Sequence, residues 1–450
     1  MNLVELLKRA EGKTLEFKRE VSTPDGAIKT IVAFANTAGG TLIIGVEDKS
    51  RRVGGVPDPR ALEERLANLI SDLIVPRLVP DVEILPWRRT HVVAVEVHAS
   101  ATRPHFVKRE GLASGVYVRV GSTNRRADAE LIDELGRYVR GETFDEQAMP
   151  QFDSEAIDFR AASELFGPVR RLRRQDLETM RLVTTHQGRK VPTVGGILLF
   201  GRERERSFPD AWIQVGRFEG KDRSRIVDRA EIHSIFPVAL EEAIAFVRKH
   251  ALHGAEIGAV RRRERWNLPP TAVREAVINA VAHADYAQHG APIRLSIFDD
   301  RLEVENPGLL PFGLTVEDLP RGVSKLRNRV IGRVFHALGF IEQWGSGVQR
   351  MSAACRDAGL ANPVFEEVGT RFRVTISSVR VGPSALDKTD QAILDALVGA
   401  EGLLTSEIAK AIGLTPRATR TRLARLVGGG LAREIGSGPQ DPRRRYFHAD

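Results

Sequence analysis

Cysteine is nearly absent: Cys355 stands alone among 450 residues. One thiol excludes an internal disulfide and a cysteine-built zinc site. It falls in the helical stretch MSAACRDAGL, where a small buried residue is the expected role. Also missing is any apolar run near the roughly 18 residues that a membrane span needs. The stretch VGGILLFG reads instead as a buried strand. The opening MNLVELLKRAEGKTLEFKRE reads as an amphipathic helix followed by a strand, without the uninterrupted apolar core of a signal peptide. A soluble, cytoplasmic protein is expected. There is no internal repeat, no low-complexity tract and no Walker sequence G-x-x-x-x-G-K-S/T, so no P-loop motor for a helicase.

What is present is ordinary for a globular chain: 42% hydrophobic and 28% charged residues. Lys and Arg number 67 against 59 Asp and Glu, a net charge of +8, which favours a polyanionic partner such as nucleic acid. The length suits about three domains of roughly 150 residues. Residues 1–145 alternate helix and strand, with strands at TLEFKR, GTLIIGVED, DVEILP, HVVAVEVHA and GVYVRVG. The acidic stretch GETFDEQAMPQFDSE loses periodicity and reads as a linker. Residues 155–380 form a second α/β block. Its hairpin IRLSIFDDRLEVEN turns at Asp299-Asp300, and two helices, KLRNRVIGRVFHALGF and GVQRMSAACRDAGL, follow. VRVGPSALDK is a second linker.

Residues 385–450 read as three short helices and a hairpin, the order of a winged helix-turn-helix. Gly413 supplies the turn, Thr415 caps the third helix and Pro416 fits its first turn. That helix carries Arg417, Arg420, Arg422 and Arg425, with Leu423 and Leu426 on its buried side. The wing adds Arg443, Arg444 and Arg445. Arginines in these two places contact phosphates and base edges, or else form a solvated basic face.

The helix VREAVINAVAHADY buries Val273, Ala276, Val277, Ala280, Val281 and Ala284 on one stripe. Glu275 and Asn279 lie one turn apart on another line, with His283 and Asp285 beyond. An amide oxygen there can hold Mg²⁺ and a carboxylate can orient water; the alternative is a hydrogen-bonded helix end. Asn306-Pro307-Gly308 then makes a tight turn, and Gly345-Ser346-Gly347 opens another helix, where backbone amides can face phosphate oxygens.

This order resembles the GHKL (histidine-kinase-like) ATPase fold, in its divergent RecG-like branch found in bacterial transcriptional regulators. The resemblance implies Glu275 as the general base, Asn279 as the Mg²⁺ ligand, and Asn306, Gly308, Gly345 and Gly347 as nucleotide contacts. The family's aspartate-x-glycine is here Asn306-Pro307-Gly308, whose amide oxygen can still accept from adenine without the charge. EGKTLEFKRE, IVAFANTAGGTLIIGVEDKSRRVGGV and GVYVRVGSTNRRA resemble the Schlafen AlbA-type nucleic-acid-binding domain. In that comparison Glu11, Glu16 and Asp48 match a carboxylate trio that binds a divalent metal for phosphodiester cleavage, with Lys18 as phosphate contact. The alternative is surface ion pairing with Lys18, Arg19 and Lys49. Arg119, Arg125 and Arg126 form a basic loop, either phosphate contacts or a solvated edge.

The expected fold is therefore α/β (α+β) multidomain: an AlbA-type α/β domain, a GHKL-like α/β sandwich and a winged helix. The expected function is an ATP-responsive DNA-binding transcriptional regulator, with ATP and Mg²⁺ as cofactors. Its partners would be DNA, with RNA as the other polyanion, no membrane, and further copies in a homo-oligomer. The competing readings are a Schlafen-type metal-dependent endoribonuclease and a protein-interaction scaffold.

Overall fold

The computed structural model describes every residue except Ser22, Lys49, 258–261, 342–344, 380–387, 399–401, 429–430, 436–443 and Asp450. In the first block, helix α1 (Leu3–Lys8) leads to strand β1 (Leu15–Lys18), helix α2 (Pro24–Asn36) and strand β2 (Gly40–Ile44). Helix α3 (Pro59–Leu73) precedes strands β3 (Asp81–Trp87) and β4 (Thr90–Val97). A hairpin of β5 (Tyr117–Val120) and β6 (Thr123–Arg126) and helix α4 (Ala129–Val139) complete it. The sheet runs β1-β2-β4-β3, with β1 and β2 parallel. Alternation along β2 explains its two faces: Leu42 and Ile44 pack with Ile31 and Phe34 of α2, whereas Ile43 packs with Leu3 and Phe17.

The second block holds helix α5 (Val194–Phe200), strands β7 (Ile213–Phe218) and β8 (Ile226–Ile232), and helices α6 (Phe236–His250) and α7 (Pro270–His283). Strands β9 (Ile293–Ile297) and β10 (Arg301–Pro307), helices α8 (Arg329–Ala337) and α9 (Gly347–Asp357), and strands β11 (Val364–Val368) and β12 (Arg371–Ser377) follow. Six strands form one sheet in the order β8-β7-β9-β10-β12-β11, antiparallel except for β7 beside β9. Helices α6 and α7 pack on one face over Val215, Leu295, Leu302, Val304 and Ile376. On the other face Glu303 and Glu305 lie buried beneath Arg223 and Arg373.

VGGILLFG is not a strand. Residues 194–200 form α5, with every residue buried and Thr193 capping the Gly196 amide at 3.0 Å. A short apolar run buried all round carries no period, and here its glycines permit close packing: a Cβ on Gly196 would stand 2.1 Å from the Leu182 carbonyl.

The third block is helix α10 (Lys388–Leu397), strand β13 (Leu403–Leu404), helices α11 (Thr405–Ile412) and α12 (Pro416–Gly428), and strands β14 (Ala432–Ile435) and β15 (Arg445–His448). Gly413 ends α11 in the left-handed region at φ 70°, and the Thr415 hydroxyl accepts from the Ala418 amide. Leu423 and Leu426 fill the core with Ile393 and Ile408.

Candidate functional site

Helix α7 begins at Pro270, whose fixed φ suits a first turn, and its small apolar residues let it lie flat against β10 and α9. That burial carries Glu275 to 4% exposure. Its Oε1 accepts from Arg350 of α9 at 3.1 and 3.3 Å, and Arg274 lies 3.5 Å away. Asn279 follows one turn later, half-buried. A Cβ on Gly347 would stand 2.7 Å from Glu275 Oε2 and 3.4 Å from Asn279 Nδ2, so the start of α9 rests directly on these two side chains.

Beyond α9 the space opens into a cavity of about 1160 Å³. Glu275, Asn279, Asn306, Gly345 and Gly347 all line it, together with His283 and Asp285. Asn306 is 4% exposed and its Nδ2 donates to the Pro307 carbonyl at 3.0 Å, which leaves Oδ1 as its acceptor. Gly308 stands behind this wall at φ +96°; a Cβ there would lie 2.8 Å from the Asp285 Cβ. Burial beside Arg327 pulls the His283 pKa down to about 4, so the ring is neutral near pH 7.

Several wall residues have no local signature in the sequence. Arg327 pairs with Glu134 of α4, which is 193 positions away, donates to the Leu309 carbonyl and lies 4.0 Å from Asp285. Burial drives the Glu134 pKa up against the pull of Arg327. Asp145, expected in a solvated linker, is fully buried and accepts from the Arg329, Val330 and Ile331 amides at 2.7–3.1 Å, capping α8. Acidic composition suggested a linker, and only tertiary contact reveals a cap.

In the first block Glu11 Oε1 accepts from the Phe17 amide at 2.6 Å, and its pKa is raised by burial and by the neighbouring Asp48 and Glu16 carboxylates. Glu16 is neutralised: Oε2 takes Arg119 at 2.5 Å and Oε1 lies 3.1 Å from Lys18. Among the described residues no group of three or more His, Cys, Asp or Glu is placed to hold a metal ion. Arg119, expected at a phosphate or a solvated edge, is instead 1% exposed and enclosed, whereas Arg125 and Arg126 are exposed. Lys49 lies outside the described residues.

On α12 Arg417 and Arg420 are exposed. Arg422 and Arg425, expected on the same nucleic-acid face, both pair with Asp390 of α10, which is fully buried. Arg444 pairs with Glu434 at 2.5 Å and Arg445 donates to the Gly402 carbonyl. Arg443 lies outside the described residues.

Residues 11–128 match the family described as Schlafen, AlbA_2. Residues 290–376 match "Putative ATP-dependent DNA helicase recG C-terminal", and residues 386–433 match "Winged helix-turn-helix DNA-binding". The chain carries all three modules. The RecG-type match begins after α7, so it includes Asn306, Gly308, Gly345 and Gly347 but neither Glu275 nor Asn279. Among solved structures, the DIP2311 protein from Corynebacterium diphtheriae is 21% identical over 98% of this chain and 95% of its own, with a TM-score of 0.46. The N-terminal domain of "Putative ATP-dependent DNA Helicase RecG-related Protein" from Nitrosomonas europaea is 26% identical over 28% of this chain and 94% of its own, with a TM-score of 0.24. No curated protein matches. No helix among the described residues is long and apolar enough to cross a membrane.

Proposed function

We propose that this chain is a DNA-binding transcriptional regulator whose RecG-type domain takes ATP with Mg²⁺. The observation that carries the reading is the cavity, which Asn279, Asn306, Gly345 and Gly347 line from three separate parts of the fold. The residues fit the group. Asn279 offers an amide oxygen to a hard cation, and Asn306 Oδ1 an acceptor for an exocyclic amine. Phe365 and Phe372, the latter paired with Asn306 across the strands, supply apolar lining for a flat base. Bound Mg²⁺ would neutralise phosphate charge.

Glu275 has a structural part beside the cavity. Its Oε1 accepts from Arg350 and so holds α9 against α7. The winged helix then supplies the DNA contact, and pocket occupancy biases its use through the rest of the chain.

Titration calorimetry of the full chain with Mg-ATP tests this. Asn279→Ala should weaken binding roughly 30- to 1000-fold, the combined worth of a metal ligand and a charge-assisted hydrogen bond. Glu275→Gln should retain binding, because its amide oxygen still accepts from Arg350. A wild-type chain with no heat of binding at millimolar Mg-ATP would sink the reading.

A further inference from the structure

The cavity is not built by the RecG-type domain alone. Helix α4 follows the AlbA_2 match directly, and its Glu134, Arg137 and Tyr138 form part of the cavity wall. Arg137 is 7% exposed. Its guanidinium stands 5.3 Å from the Phe144 ring centroid. Among the described residues no carboxylate lies within ion-pair distance of it and its side chain makes no hydrogen bond. The acid one turn before it, Glu134, gives Oε1 to Arg327 and attracts Arg137 only at longer range.

Lys325 also lines the cavity and is half-buried. Its Nζ donates to the Tyr138 hydroxyl at 3.0 Å and the Phe312 carbonyl at 3.1 Å, both neutral. No carboxylate pairs with it among the described residues. A buried guanidinium with no carboxylate in direct contact is costly, and with the half-buried ammonium of Lys325 it leaves a concentrated positive field along the cavity lining. A guanidinium presents its N–H groups as a planar fork suited to phosphoryl oxygens, and an ammonium adds a point charge.

We propose that Arg137 and Lys325 form a phosphate-binding wall, so that a phosphorylated ligand is held between α4 and the RecG-type domain. This deepens the nucleotide reading and rests on it. It also gives the cavity a direct mechanical tie to the AlbA_2 domain, because α4 continues from that domain's hairpin. The Phe144 ring lies against the guanidinium, which makes no side-chain hydrogen bond among the described residues.

The test is calorimetry of the full chain with Mg-ATP, inorganic tripolyphosphate and adenosine, on wild type, Arg137→Gln, Arg137→Lys and Lys325→Gln. Arg137→Gln should weaken Mg-ATP and tripolyphosphate roughly 10- to 100-fold and leave adenosine unchanged. Arg137→Lys should recover part of the loss. Should the Gln variant fail to fold, the Lys variant and Lys325→Gln carry the same comparison. Mg-ATP binding that survives in Arg137→Gln while falling in Asn279→Ala overturns this wall and leaves the nucleotide reading standing. An equal loss for adenosine also overturns it. A wild type that binds tripolyphosphate but not Mg-ATP keeps the wall and removes the nucleotide. A wild type that binds neither removes both.

Discussion

Arg119 donates to the Gly12 carbonyl, to Asn124 Oδ1 and to Glu16 Oε2, and is 1% exposed. Its side chain therefore gives Glu16, one of the three candidate carboxylates, a fixed counter-cation. Glu16 in this setting is a structural counter-charge. Removing one partner of a buried pair leaves the other uncompensated, at a cost of about 3 kcal/mol. Glu16→Ala should accordingly lower the stability of the first domain by about that amount, read as a shift of the urea midpoint at unchanged slope. A variant as stable as wild type would return Glu16 to the pool of candidate metal ligands. Cys355 is the contrary case, where composition alone sufficed: it is fully buried, and burial pushes its thiol up to about 11.

At the scale of elements, α8 shows what a capping residue from another segment does. Asparagine at 328 would ordinarily cap it, but Asn328 Nδ2 donates instead to the Ala282 and Ala284 carbonyls at the end of α7. The cap comes from Asp145, 184 positions earlier than the first amide it takes. Asp145→Ala would strip three amides of their acceptor, costing about 2–3 kcal/mol. Asp145→Asn would cost less, since its carbonyl still accepts. Urea unfolding followed by circular dichroism orders the two variants; equal stability of Ala and wild type would deny the cap its role. The same contact explains which parts were legible beforehand. Period-2 runs in β9 and β10, and the 3.6-period stripe of α7, are local and were readable from the residues themselves. The start of α8 at Arg329 rather than near Lys325 was not, because its cause lies in residue 145. Nor was the helix at 194–200, where uniform burial erased the period. In the site, Glu275 and Asn279 were visible by spacing, but Arg350, Arg137 and Arg327 reach the cavity only through tertiary packing.

Across the whole molecule, contacts join the first two blocks at residues distant in sequence: Lys13 to Glu367 at 2.6 Å, the Gly313 amide to the Thr37 carbonyl at 3.0 Å, and Tyr138 edge-on to Phe312 at 5.9 Å. Most gather on residues 309–331, between the Asn306 turn and α8, so a ligand that reshapes that segment must work against α4 and its domain. The winged helix divides its arginines differently. Arg422 and Arg425 converge on Asp390, a fully buried carboxylate, and so hold α12 to α10. Arg417 and Arg420 are one turn apart and exposed at the start of α12. If each neutralises one phosphate, the slope of log K against log salt should flatten by about 0.9 per residue removed. The double variant Arg417→Ala, Arg420→Ala should therefore lose roughly 1.8 from the slope while the module stays folded. Arg422→Ala should behave in the opposite sense, lowering the melting temperature of the module because the buried Asp390 loses one of its paired cations. Fluorescence anisotropy with duplex DNA across a salt series, paired with thermal melts of each variant, separates the two roles. A double variant whose slope matches wild type would move the duplex contact away from the start of α12.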